Sequence, residues 1–171
     1  RLRASGTVSM SGRMGAANIR AVAATPGLAV AAAFDRRGTP VAGKDAGELA
    51  GMEALGVTIT DDVEAALADV DAIVDFTAPA ASVALSRIAA ARGLVHIIGT
   101  TGCSPEDNAE IARAATSARI VMSGNFSLGV NVLMGLIRQA AAALPDFDVE
   151  IVEMHHNKKV DAPSGTALML G

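Results

Sequence analysis

The sequence predicts an α/β protein: a parallel sheet with helices on both faces, followed by the start of a second, α+β domain. Three observations carry that expectation. Short runs rich in Val and Ile alternate with Ala-rich segments of helical length. The short runs are continuously apolar, as strands covered on both faces are, and do not alternate with polar residues. Beyond residue 125 the rhythm changes. A repeated strand–helix order implies a parallel sheet, because each parallel connection needs a crossover and a helix supplies it.

Taken in order, residues 2–8 form a weak first strand, broken by Arg3, Ser5 and Gly6, and residues 13–24 the first helix. Residues 28–33, 72–74, 94–98 and 120–122 are the remaining strands, bounded by Gly, Asp or Thr. Residues 63–68, 80–91 and 105–117 are helices by their Ala, Leu, Glu and Arg content. The last of these begins well: Ser104 offers a capping hydroxyl, Pro105 stands at the first helical position, and Glu106 and Asp107 follow in the first turn. Residues 1–125 make the first domain and 126–171 the second. There a helix is expected over 129–144, stopped by Pro145, then a strand over 148–154, a polar stretch and a new helix. One helix and one strand cannot bury a sheet face. The sequence is therefore expected to be a fragment ending inside its second domain, with apolar surface that favours poor solubility or swapped oligomers.

Composition excludes several classes. Fourteen basic and 18 acidic side chains leave a net charge of −4, against the clustered Lys and Arg that a nucleic acid requires. With no Trp, no Tyr and four Phe there is no base-stacking platform. Cys103 is the only cysteine, so there is neither a disulfide framework nor a paired-Cys zinc site, which fits a reducing, cytoplasmic setting. No apolar run approaches the roughly 20 residues that span a bilayer, and no signal-peptide pattern opens the sequence. No metal site is expected: the adjacent His155 and His156 would point to opposite faces of a strand.

Ser9, Met10, Ser11, Gly12, Arg13, Met14 and Gly15 lie where the first strand turns into the first helix. Gly12 and Gly15 have the spacing of the second and third glycines of a dinucleotide fingerprint. One lets the backbone approach a pyrophosphate, and the other lets helix pack on strand. Ser9 stands where the first Gly is usual. Asp35 follows an apolar run and lies 20 residues after Gly15, where a carboxylate receives ribose hydroxyls. Arg36 and Arg37 follow and suit a 2′-phosphate, so NADH and NADPH both remain open. These features make the first domain a Rossmann-type sheet.

Three further segments follow strands: Asp75-Phe76-Thr77-Ala78-Pro79, Gly99-Thr100-Thr101-Gly102 and Ser123-Gly124-Asn125-Phe126-Ser127. Turn chemistry explains any one of them. Together they emerge at the carboxyl edge of one parallel sheet, where open α/β sheets bind ligands. Phe126 can pack on a flat ring. His96, inside an apolar strand, reads as a packed core residue and Cys103 as incidental.

The richest segment runs from Glu153 through Met154, His155, His156, Asn157, Lys158, Lys159, Val160, Asp161, Ala162, Pro163, Ser164, Gly165 and Thr166 to Ala167. A histidine titrates near ~6.5 and can donate a proton at cellular pH. Lys158 and Lys159 suit an anionic substrate, and Ser164, Gly165 and Thr166 open a helix whose free amides suit a carboxylate. A small dicarboxylate fits this set. A polar surface loop with Ser164 as its cap is the bland alternative.

This segment resembles the signature of the dihydrodipicolinate reductase family, also called 4-hydroxy-tetrahydrodipicolinate reductases. Gly12-Arg13-Met14-Gly15, Asp75-Phe76-Thr77, Gly99-Thr100-Thr101-Gly102, Asn125-Phe126-Ser127 and Gly129-Val130-Asn131 occur in the family's order. The resemblance implies a reductase of the diaminopimelate and lysine pathway, using NADH or NADPH to reduce a cyclic imine-type dicarboxylate to tetrahydrodipicolinate. It implies His155 as proton donor and Lys159 as its catalytic partner. His156, Lys159, Ser164, Gly165 and Thr166 would hold substrate. Ser9, Met10, Ser11, Gly12, Arg13, Met14, Asp35, Arg36, Phe76, Thr77, Gly99, Thr100, Thr101, Ser123, Gly124, Asn125 and Phe126 would line the cofactor. The complete protein would be a homotetramer. The departures are Ser9 with the polar first strand, and the early end, ahead of the part that in the family completes the substrate-domain sheet. A noncatalytic dinucleotide-binding module and another two-domain dehydrogenase are the competing readings.

Overall fold

The computed structural model describes the backbone of residues 4–7 and all of residues 12–155, 157 and 162–171. The chain divides into two compact units, Arg1–Met122 and Ser123–Gly171, so Ser123, Gly124 and Asn125 group with the second.

In the first unit, strands β1 (Ala4–Thr7), β4 (Ala72–Asp75), β5 (Val95–Ile98) and β6 (Arg119–Met122) form a parallel sheet in the order β1-β4-β5-β6. The polar first strand pairs with β4 in register, Ala4 opposite Ala72 and Thr7 opposite Asp75. Ladder bonds come from the backbone, so Ser5 and Gly6 do not prevent them. Strands β2 (Ala33–Phe34) and β3 (Ile59–Thr60) make a separate parallel pair, and β2 lies against β1. Read across both ladders, the order is β3-β2-β1-β4-β5-β6, which reverses direction between β1 and β4.

The strand expected over 28–33 is much shorter than that. Only Ala33 and Phe34 find ladder partners, because β3 offers two residues. Upstream, Leu28, Val30 and Ala32 are half-buried against core clusters while Ala29 and Ala31 face solvent. The run is thus covered on one side rather than two.

Helix α1 (Arg13–Ala24) packs on β1 and on α2 (Ala46–Leu49), α3 (Val63–Ala66) touches β2, and α4 (Pro79–Arg92) lies on β5 and α5 (Pro105–Ala114). Helix α4 ends at Gly93, whose φ of +67° is the left-handed geometry that closes a helix. Helix α5 carries a full capping box: Ser104 Oγ accepts from the Asp107 amide and the Asp107 carboxylate accepts from the Ser104 amide. One core cluster joins Phe34, Leu67, Ile73, Leu85 and Ala89; another gathers Ile19, Ala33, Val41 and Ile59.

The second unit holds α6 (Leu128–Ala143) and α7 (Gly165–Leu170). The strand expected over 148–154 does not form. Among the described residues this unit has no second strand to bond it, and an unpaired strand leaves its N–H and C=O groups to water. Val152 and Met154 are 88% and 94% exposed, and α6 buries none of its residues. Leu128, Val132, Leu133 and Leu136 are exposed along it, the uncovered apolar surface that one helix without a sheet implies.

Candidate active site

The cofactor-type residues of the first unit gather at the carboxyl ends of its strands. A cleft of about 510 Å³ opens there, lined by Phe34, Asp35, Arg36, Thr77, Ala81 and Leu85 among others. Asp35 follows β2 directly and is 3% exposed. Its carboxylate accepts from the Arg36 amide at 2.7 Å and from the Thr39 hydroxyl at 3.3 Å. Arg36 itself is exposed at the rim. Gly12 caps α1 in extended geometry with no side-chain bond to the helix start, while Arg13 and Met14 face solvent and Gly15 is buried. Ser9, Met10 and Ser11, expected to line the cofactor, lie outside the described residues.

Two turns next to this cleft are tied to one buried carboxylate. Asp75, at the end of β4, is wholly buried. Its Oδ1 accepts from the Thr77 hydroxyl at 2.6 Å, from the Thr77 amide at 3.0 Å and from the Thr100 hydroxyl at 3.5 Å. Thr100 Oγ1 also accepts from the Thr77 amide at 3.1 Å and from the Ser82 hydroxyl at 2.8 Å. The other carboxylate oxygen lies 3.2 Å from His96 Nε2, and His96 Nδ1 lies 3.1 Å from Ser86 Oγ. Burial pushes the Asp75 carboxyl up, but the hydrogen bonds from His96, Ser82 and Thr77, with the nearby imidazole, outweigh it and hold the group below its ordinary value. An ionised carboxylate only accepts, so Nε2 carries the proton.

His96 is a packed core residue, as expected, yet a bonded one. The sequence reading missed the roles of Asp75, Ser82, Ser86 and His96. The only signal was one polar side chain in each of two neighbouring apolar strands. Thr100 is 4% exposed while Thr101 faces solvent, so of the two threonines only Thr101 offers an open side chain. Gly99 leaves room for Phe76: a Cβ there would lie 2.2 Å from the ring. Cys103 packs, half-buried, against a core cluster of Val83, Ile98 and Ile111, and burial pushes its thiol up, helped by Asp107 and Asp75.

In the second unit, Ser123 Oγ donates to the Asn125 carbonyl at 2.8 Å, and Asn125 Nδ2 donates to Thr166 Oγ1 at 2.9 Å. A Cβ on Gly124 would lie 3.0 Å from Met169 Sδ and 3.2 Å from the Gly165 carbonyl, so the 123–125 turn sits tightly on the start of α7. Ser164 caps α7, accepting from the Ala167 amide at 3.0 Å. The Ser164 amide donates to Glu153 Oε1 at 2.6 Å, and the other Glu153 oxygen lies 3.4 Å from His155 Nδ1. Glu153 thus joins the candidate proton donor to the candidate substrate helix. His155 is exposed and Phe126 is 43% exposed. His156 and Lys159, expected at the substrate, lie outside the described residues. Among the described residues no group of His, Cys, Asp and Glu could hold a metal ion.

A parallel sheet that reverses order between β1 and β4, with small polar turns at its carboxyl edge and an acidic residue after β2, defines a protein of the doubly wound, dinucleotide-binding class. More narrowly, the chain belongs to the dihydrodipicolinate reductase family: the family's N-terminus matches residues 6–126 and its C-terminus residues 129–171. The 4-hydroxy-tetrahydrodipicolinate reductase of Rhizobium rhizogenes is 54% identical over 166 residues, covering 96% of this chain and 61% of that protein. The 4-hydroxy-tetrahydrodipicolinate reductase 1 of Mesorhizobium japonicum is 56% identical over the same length and the same shares. The chain thus spans about 61% of the length of these curated relatives. Among solved structures, a dipicolinate-bound dihydrodipicolinate reductase from Paenisporosarcina sp. TG-14 superposes with a TM-score of 0.74 at 26% identity, over 99% of this chain and 63% of that one. An oxidoreductase from Agrobacterium radiobacter, in complex with NAD+, L-tartaric acid and magnesium, shares the fold at a TM-score of 0.61 and 20% identity, over 82% of this chain and 41% of that one.

Proposed function

We propose that this chain carries the dinucleotide domain and the opening of the catalytic domain of a 4-hydroxy-tetrahydrodipicolinate reductase. The enzyme would reduce that small dicarboxylate to tetrahydrodipicolinate, in diaminopimelate and lysine biosynthesis, at the expense of NADH or NADPH. The observation that carries the reading is identity of 54–56% over 166 residues with reductases of that name, a span long enough to take in both units. The solved relative with dipicolinate bound supports a planar dicarboxylate as ligand.

The residues fit a nicotinamide dinucleotide. The cleft beside β2 has an apolar floor of Ala78, Ala81, Leu85 and Ile88 for a flat ring, with Asp35 and Arg36 at the ribose position. Gly12, the N-cap of α1, makes no side-chain bond to the first amides of the helix, which suits a pyrophosphate. When bound, the cofactor supplies the hydride. The chain supplies the rest. Thr77, Gly99 and Thr101 line the edge along which the dinucleotide extends. Ser123, Gly124, Asn125 and Phe126, of the second unit, are proposed as further cofactor-binding residues. Ser164, Gly165 and Thr166 hold substrate carboxylate, with His156. His155 holds a proton at its imidazole and delivers it to the ring carbon beside the one that takes the hydride, the substrate's hydroxyl having left as water, while the Lys159 ammonium stabilises the negative charge that the hydride leaves on the ring. Glu153 keeps the His155 imidazole turned toward the α7 start.

The complete protein is proposed to be cytoplasmic and homotetrameric. The exposed apolar face of α6 supports assembly with further protein surface. NADH titration with and without pyridine-2,6-dicarboxylate tests the reading. Tighter NADH binding with the analogue present is the expected result. Binding indifferent to the analogue would reduce the chain to a dinucleotide module.

A further inference from the structure

We propose that the buried chain Ser86–His96–Asp75 positions the Thr77 and Thr100 turns, making Asp75 and His96 positioning residues for the cofactor edge. The inference rests on the reading that these turns face the dinucleotide, and goes beyond it by naming what holds them there.

The argument begins with burial. Asp75 and His96 are 0% exposed and Ser86 is 1% exposed, so none of the three meets a ligand directly. A charged carboxylate in that place is costly unless every lone pair is used. The structure divides its two oxygens by task. One faces the turns: it takes the Thr77 amide, the Thr77 hydroxyl and the Thr100 hydroxyl. The other faces the core and takes His96 Nε2, with the Ser82 hydroxyl also close to the carboxylate. Ser86, on α4, fixes the far side of the imidazole through Nδ1.

Three separate elements are joined in this way: β4 through Asp75, β5 through His96 and α4 through Ser86. Ser82, one turn before Ser86 on α4, closes the circuit by donating to Thr100. The Thr77 amide is shared between Asp75 and Thr100, so neither turn moves without breaking a bond to the other. With the imidazole removed, one oxygen of Asp75 loses the buried donor that holds it in place. The carboxylate then turns toward whatever donor it can reach, and the Thr77 and Thr100 anchors go with it.

The test compares His96→Leu with Leu67→Ala in the natural full-length chain. Leu67 is fully buried in the same unit but bonds to none of these groups. Two readouts are taken well below both melting temperatures: the NADH dissociation constant, and hydrogen exchange at the Thr77 amide. His96→Leu is expected to raise both the dissociation constant and the exchange rate about tenfold, the scale of losing one bond to a charged group. Leu67→Ala is expected to leave both within about twofold of the parent. Ser86→Ala, a smaller cut at the far end, is expected to shift both in the same direction by about threefold, and it decides the matter if His96→Leu does not fold. Unchanged values in the folded His96 or Ser86 variant overturn the proposal. So does an equal effect from Leu67→Ala, which would make the network a stability element only. If the parent itself binds no NADH, the cofactor reading fails, and the Thr77 exchange rate alone decides whether the network positions the turns.

Discussion

Replacing Gly99 with Ala puts one carbon into space that the Phe76 ring already fills. A Cβ at 99 would lie 2.2 Å from Cε1 and 2.5 Å from both Cδ1 and Cζ. Carbon atoms in contact sit about 3.5–4 Å apart, so the ring must retreat by more than about 1 Å. The backbone beside Phe76 is held, because the next residue, Thr77, is pinned to Asp75 through both its amide and its hydroxyl, so the half-buried ring must move about its own side-chain bonds. Overpacking of this kind costs about 1–3 kcal/mol. If the turn absorbs that cost, NADH affinity falls by about 5- to 150-fold at 1.4 kcal/mol per factor of ten. If the rest of the unit absorbs it, the loss appears as lowered stability. Urea unfolding and NADH titration, run on the same variant, measure the two shares. The double variant Gly99→Ala/Phe76→Leu isolates the cause, since Leu lacks the ring atoms that clash. The cycle is expected to be non-additive, with Gly99→Ala costing less in the Phe76→Leu background. Parent-like stability and affinity in the single variant, or strict additivity in the cycle, would refute the reasoning.

Three other outcomes follow from the same structure. Ser104→Ala removes one half of the capping box and should lower stability by about 1 kcal/mol, or about 4 °C in Tm, with NADH affinity unchanged; calorimetry checks it. Asp75 sits below its ordinary value of 3.8, so its stabilisation is complete above that pH and is lost as pH falls through the lowered folded value. In acid titrations followed by circular dichroism, His96→Leu should therefore unfold at higher pH than the parent. In the full-length protein, His155→Gln should reduce turnover by a factor of about 10²–10⁴ while NADH affinity holds; equal loss of both would make the residue structural.

What local signals decide was legible in the sequence. Helix α1 begins and ends at the residues expected, Arg13 and Ala24, because the glycine turn before it and the Thr25-Pro26 pair after it punctuate the chain. Pro79 and Gly93 bracket α4, and Ser104 and Pro105 open α5. Strand ends were less legible, because a ladder is decided by a partner far away in the sequence. Residues 28–32 have the composition of a strand but find no ladder partner, since the two residues of β3 pair with Ala33 and Phe34. Residues 148–154 have it too, and no partner strand stands among the described residues. Apolar composition marks what a segment can do; the ladder requires a second edge.

The candidate site divides along the same line. Its motifs were readable because each is short: the turn at Gly12, Asp35 after its strand, and the polar segment after Glu153. What holds two of its turns was not readable. Asp75 and His96 lie 21 residues apart, His96 and Ser86 ten, and Ser82 and Thr100 eighteen. No motif spacing links them, and each alone has an ordinary explanation as a strand end, a core residue or a helix hydroxyl. They become one device only because the parallel ladder sets Asp75 beside Ile98 and carries His96 into the same layer, under α4. A motif shows where the backbone approaches a ligand. The rigidity of that backbone is set by buried polar groups from other elements, whose cost on burial is offset only when every partner arrives.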